Sequence, residues 1–357
     1  MPRAEILEMV ARRETVANRT LAGIDLSGAD LSGGRFEQVD FSGADFSGAD
    51  VNRTGFVGCD FTRASFRGLR VEKANWIGLH MPGADFSGSR LYMMLLDKSN
   101  FAGANFSGAH IHRCTMQAST LSGAIFAGAK VEQNALFKTD CTGADFTGAS
   151  LTRLAFSESD MRSIVLCRAT VTKVLFRGCN FTGYNFSGLT MNIVQFDAAL
   201  LDGADFTESS LPMCNFMGAS MRAANLRQVK LESALFIGAN LEGASLANGQ
   251  FRQSCFNEAN LSHADCTNSD FELCLFQKAT MHKARFNGSN LKNADFSYAN
   301  LSEGDFTDTS LYMAQFHKAV EEDTRYGNSK KTLLQSEDKD RAMAEAFQPQ
   351  PKPRTHK

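Results

Sequence analysis

The chain has one tryptophan and five tyrosines in 357 residues, and six prolines of which three (Pro349, Pro351 and Pro353) fall in the last nine positions. No apolar run approaches the roughly 18 residues that cross a bilayer, and Met1 to Thr20 is too charged for a signal-peptide core. The reading is therefore a cytoplasmic chain without a membrane segment. Nine cysteines are present but no CxxC, which points to reduced thiols rather than a disulfide framework or a zinc site. Charge of one sign is missing too: 37 Lys and Arg against 39 Asp and Glu leave a net charge of −2. That excludes a polybasic nucleic-acid arm or an acidic solvating tail as the dominant feature. No GxGxxG follows a strand pattern, and neither GxxxxGK[ST] nor HExxH occurs.

What is abundant is one aromatic type and glycine, 29 residues of each. Both recur at a fixed interval. From Leu21 to Phe316 every fifth position is apolar, giving 60 consecutive pentapeptides without an insertion or a polar exception. Around each such centre stand a small residue two before, often Asp or Asn one before, often Ser or Thr one after, and often Gly two after. Five matches neither the helical period of 3.6 nor the strand period of 2, so the chain must turn inward once per five residues. A second period is twenty. Sorted by position modulo 20, the centre classes of Phe46 and Phe36 hold 10 and 11 Phe, against 4 and 2 in those of Phe41 and Phe251. Glycine two after the centre is common in the classes of Leu21, Leu26 and Phe36, but the Leu31 class has only Gly33. Four pentapeptides per coil, hence four faces, explain both patterns, and the glycine-poor corner after the Leu31 class is expected to use other turn types.

The unit A-D/N-L/F-S/T-G, as in Ala84-Asp85-Phe86-Ser87-Gly88, resembles the pentapeptide-repeat family. The resemblance implies an all-β fold, a right-handed quadrilateral parallel β-helix of about 15 coils over residues 21–318. At about 4.8 Å per coil such a rod is roughly 67 Å long. Stacked coils bury centres that a single coil cannot. The open ends need covers. Residues 1–20, with Pro2 at the start and Ile6, Met9 and Val10 on one face, read as a capping helix, and 319–357 as a disordered tail with a short helix around Ala342 to Phe347.

Seven cysteines fall at inward positions (Cys59, Cys114, Cys141, Cys179, Cys214, Cys266 and Cys274) and read as inert core residues. His110 and His112 both point outward around Ile111, but Arg90, Lys130 and Arg113 surround them and argue against a divalent ion. The recurrent Asp residues, such as Asp25, Asp45 and Asp85, read as corner residues that bond the backbone. With no convergent cleft and a filled core, the chain reads as a non-enzymatic scaffold without cofactor or metal.

Partner residues are expected where the plain motif is broken. On and beside the Leu31 face, Arg53, Arg70, Lys73, Arg90, Arg113, Lys130, Arg153 and Lys173 make a basic strip opposed by few acids such as Glu72 and Glu132. On the adjoining Phe36 face, outward positions hold Ile77, Leu95, Phe137, Leu175, Leu235, Ile237 and Leu275, and the shared corner adds Met93, Ile193 and Met213. Homodimerisation and an acidic, partly apolar hetero-partner both fit this surface; nucleic acid fits poorly because aromatics are not interleaved with the cations. The segment NRTLAGIDLSGADLSGG (18–34) resembles pentapeptide segments of proteins associated with bacterial type VI secretion, which implies an accessory role beside a secretion adaptor, effector or spike component. The family resemblance offers an alternative, a duplex-DNA mimic that binds gyrase and confers resistance to topoisomerase inhibitors. Duplex DNA of this length presents about 40 negative charges.

Overall fold

The computed structural model describes residues 2–329 together with Met343, Glu345 and Ala346. Helix α1 (Arg3–Ala11) opens at Pro2 and buries Ile6 and Val10, one turn apart, over the first coil. It is shorter than residues 1–20 because Arg13 adopts a left-handed φ of 58°. The Arg13 N–H then bonds the Val10 carbonyl and the Glu14 N–H that of Met9, a Schellman closure. β-branched Thr15 and Val16 follow, and Thr15–Ala17 already pairs with Arg35–Glu37 as the first rung. Among the described residues no helix is long and apolar enough to cross a membrane.

Rungs pair in parallel with residues twenty positions on. The four columns begin Thr15–Arg35, Thr20–Asp40, Asp25–Asp45 and Asp30–Asp50, and the register runs without a slip to Asp305–Arg325. Four pairing columns per twenty residues make the molecule a quadrilateral parallel β-helix. Regular strands form on the Leu31 and Phe36 faces as far as Asn192; beyond it rungs are single bridged residues. The longest continuous sheet has seven strands on the Leu31 face, from Arg70–Glu72 to Met191–Asn192.

The corners correct one expectation. At the glycine-poor corner of the Leu31 face the residue two after the centre keeps the same left-handed φ as glycine does elsewhere: 57° at Arg53, 56° at Lys73, 55° at Arg113 and 55° even at β-branched Ile193. Each such L-residue costs about 1 kcal/mol relative to glycine, and the rungs above and below over-determine the conformation.

Inside, two Phe ladders stack ring on ring. On the Leu26 face, Phe66 and Phe86 lie 4.7 Å apart at 3°, and Phe186 and Phe206 4.6 Å apart at 3°. On the Phe36 face, Phe236 and Phe256 lie 4.6 Å apart at 3°. The two ladders meet edge-on, as between Phe206 and Phe216 at 89°. Parallel offset stacking within a column and T-shaped contact between columns both suit the ring quadrupole.

At the far end the coil outlasts the five-residue pattern that ended at Phe316. Asn300 pairs with Val320 and Asp305 with Arg325, and Tyr326 stacks on Phe306 at 5.6 Å. The pattern was lost at Glu321, which takes a centre position; half-buried there, it accepts a 2.5 Å hydrogen bond from the Tyr326 hydroxyl. Residues 319–329 are therefore coil rather than tail. Most of the segment read as disordered, 330–357, lies outside the described residues, but Met343, Glu345 and Ala346 are helical. Glu345 accepts hydrogen bonds from the Lys318 ammonium at 2.7 Å and from the Tyr298 hydroxyl, and His317, almost fully buried, lies 3.4 Å from it. These partners, Lys318 first and then Tyr298, hold its carboxyl down at about 2. A depressed carboxyl stabilises docking above its ordinary pKa of 4.5 and loses that contribution as pH falls from there towards about 2. Glu345→Gln is expected to lower the thermal midpoint at pH 7 and to flatten its fall between pH 5 and pH 2, readable by thermal melts across that range. An unchanged profile would mean that this contact adds nothing.

Candidate interaction surface

The seven-stranded sheet fixes what the Leu31 face shows. Alternation along each three-residue strand buries the centre and turns its two flanking residues outward. Parallel register then stacks flanking residues at about 4.8 Å per rung. Arg70 stands beside Arg90, Arg90 beside His110 and His110 beside Lys130. The corner adds Arg53, Lys73, Arg113, Arg153 and Lys173, so the structure brings all eight cations of the strip onto one face and its corner. All eight are exposed. Among the described residues none is in an ion pair, although acids elsewhere on the rod do pair with cations. Arg113 alone is tethered, donating to the Gln133 side-chain oxygen at 2.8 Å and to the Tyr92 hydroxyl at 3.4 Å. Like charges directly opposite in a sheet are destabilising, by a few tenths of a kcal/mol to about 1 kcal/mol per pair.

The strip runs at its N-terminal end into a groove of about 890 Å³ between α1 and the first coils. Arg13, Arg35, Arg53 and Lys73 line it against Asp30 and Glu72. A filled rod was expected to offer no pocket; the expectation overlooked the notch that a capping helix leaves beside the first corner.

The apolar flank is only partly as read. Ile77, Phe137, Leu175, Leu235 and Leu275 are exposed, whereas Leu95 and Ile237 are half-buried. Lys138 lies 5.4 Å over the Phe137 ring. At the shared corner Met93 and Met213 are exposed and Ile193 half-buried. Val57 and Met217, on the same face, were missed despite standing one after a centre, where the motif asks for Ser or Thr. Ile125, Val165 and Leu200 break the supposedly plain faces at positions that usually hold Asp or Asn.

The motif aspartates bond the backbone. Asp25, Asp45 and Asp85 each accept a hydrogen bond from the N–H two residues on, at 2.8, 2.8 and 2.9 Å. These are Asx turns. The seven inward cysteines are buried free thiols, and burial pushes those of Cys59, Cys114 and Cys179 up to about 11. Cys167 is exposed and Cys255 half-buried.

The family model for pentapeptide repeats matches in a series of segments, 21–56, 59–92, 99–133, 124–165, 144–183, 199–236, 224–262, 254–293 and 289–320. The chain belongs to the pentapeptide-repeat family. Among solved structures it is similar to QnrB1, a plasmid-mediated fluoroquinolone resistance protein, at 19% identity over 58% of this chain and 92% of that one, with a TM-score of 0.36. It is also similar to a pentapeptide repeat protein from the thylakoid lumen of Arabidopsis thaliana, at 32% identity over 29% of this chain and 69% of that one, TM-score 0.24. HetL from Nostoc sp. strain PCC 7120, a pentapeptide repeat protein involved in heterocyst differentiation regulation, matches at 21% identity over 76% of this chain and 91% of that one, TM-score 0.15. Comparison with the curated proteins gives no match.

Proposed function

We propose that the chain is a non-enzymatic interaction scaffold that docks an acidic, partly apolar protein surface against the basic strip and its apolar flank. One observation carries this reading: eight exposed cations share one face and its corner, none of them in an ion pair among the described residues, and two of them, Arg70 and Arg90, are direct rung neighbours. A fold that only needed solubility would intersperse the signs, as the Lys138–Glu158 and Lys278–Glu258 pairs at the next corner, across the Phe36 face, do. Association steered by such a strip is fast and selects against basic partners.

Within this reading, the resemblance of residues 18–34 to type VI secretion-associated segments favours a secretion adaptor, effector or spike component as the partner, with this chain as a cytoplasmic accessory. A gyrase-binding DNA mimic would need roughly 40 negative charges along the rod. The net charge of −2 favours the scaffold.

Affinity capture from the native host with mass spectrometry, using the full chain, tests this. Arg90→Glu with Lys130→Glu and Arg153→Glu is expected to remove an acidic partner that the unmodified chain retains, and Leu175→Glu with Leu235→Glu to weaken its capture. Self-association lost in the apolar pair alone would make this face a homodimer interface instead. Gyrase retained by all three proteins would support the mimic, and an identical partner list from all three would place the interface elsewhere.

A further inference from the structure

We propose that His110, His112 and Glu132 form a surface site for a transition-metal ion of the zinc class. Strand His110–His112 puts its two imidazoles on the same outward side, two residues apart, and the next rung, Lys130–Glu132, sets Glu132 beside His112 in register. The Glu132 carboxylate reaches between the two rings. Its Oε2 lies 3.1 Å from His110 Nε2 and 3.5 Å from His112 Nδ1, and one ligand atom from each residue can be chosen so that all three are within 4.8 Å of one another. In a tetrahedral zinc site with bonds of about 2.0–2.1 Å, neighbouring donors stand about 3.3 Å apart. The two measured separations bracket that value.

Two further observations bear on the site. His112 Nδ1 is shut off from water and has no hydrogen-bond partner, although it lies near the Glu132 oxygen. A buried polar atom left unmatched is uncommon in a folded protein, and a metal ion would satisfy it. The His112 ring is also held in place, stacked on Tyr92 at 5.3 Å and 5°. Stacking thereby limits the ring's rotation, as a hydrogen bond from the second ring nitrogen does in most ligating histidines.

The surrounding cations weighed against a metal when only the sequence was considered. Glu132 changes that balance, because it supplies a negative oxygen between the rings. Arg113 is turned to Gln133 and Tyr92. Arg90 and Lys130 remain as rung neighbours of His110 and lower the affinity without occupying the donors. Two histidines and one carboxylate leave a fourth position for water or for a ligand from another molecule.

Titration of the metal-free full chain with zinc chloride, followed by calorimetry, tests the site, with the visible absorption of added cobalt(II) as a second readout. Expected are one equivalent per chain and a loss of at least tenfold in affinity for both Glu132→Gln and His112→Ala. Lys130→Gln is expected to bind several-fold more tightly, a change that damage to the fold would not produce. All three side chains point outward, so far-ultraviolet circular dichroism should be the same throughout. No stoichiometric binding would overturn the proposal. So would zinc held equally well by Glu132→Gln, for instance at His263 and His282, whose rings lie 5.7 Å apart.

Discussion

Phe186→Asp is expected to collapse the middle of the rod. Phe186 is fully buried, stacked on Phe206 and in contact with Phe181, Tyr184 and Phe196. Losing the ring costs about 3–5 kcal/mol, and an unpaired carboxylate in its place adds several kcal/mol more. Among the described residues no lysine or arginine is buried that could pair with it, and the centres of this column in neighbouring coils are Leu166, Phe206 and Leu226. In a solenoid each coil is supported only by its neighbours, so the damage divides the stack rather than staying local. The thermal midpoint should drop on the order of 15 °C or more, taking about 2–4 °C per kcal/mol for a large domain. Phe186→Leu should cost far less, since Leu226 and Leu246 already serve as centres in the same column. A midpoint unchanged in Phe186→Asp would mean that the ladder does not hold the fold.

Removing residues 2–13 is expected to turn the chain into an aggregating one. Helix α1 buries Ile6 and Val10 over the first coil, and Val10 approaches so closely that a Cβ on Gly34 would stand 3.3 Å from its Cγ2. Without it, the first rung offers unpaired backbone and an apolar cross-section to any other rod end. Terminal caps of repeat proteins are required for solubility for this reason. Light scattering after size exclusion should show large or polydisperse species for the truncated chain. A monodisperse monomer with an unaltered midpoint would show that α1 is not the cap.

The fold was legible because its determinants repeat. One apolar centre per five residues and the alternation of Phe between classes defined coil, face and core, and Phe186 and Phe206 stack where that arithmetic places them. The ends were less legible because they do not repeat. Arg13 stops the helix through a left-handed φ that no residue type announces, and Glu321 at a centre position hid a further rung completed by Tyr326. The surface was legible by column. Sequence spacing aligned Arg70, Arg90 and Lys130 and separated them from the Asx-turn acids. It could not give the reach of a flexible side chain. Glu132 counted only as an acid opposing the strip until its carboxylate was seen between His110 and His112, and the groove beside α1 depends on where the helix lies.

That the basic strip is the docking face is tested most directly by the association rate of the captured partner with the full chain, measured against ionic strength. Electrostatic steering predicts a rate that falls tenfold or more between low and high salt for the unmodified protein. The Arg90→Glu, Lys130→Glu, Arg153→Glu variant should start slower and lose that dependence. Equal rates for both proteins at every salt concentration would contradict docking on this face.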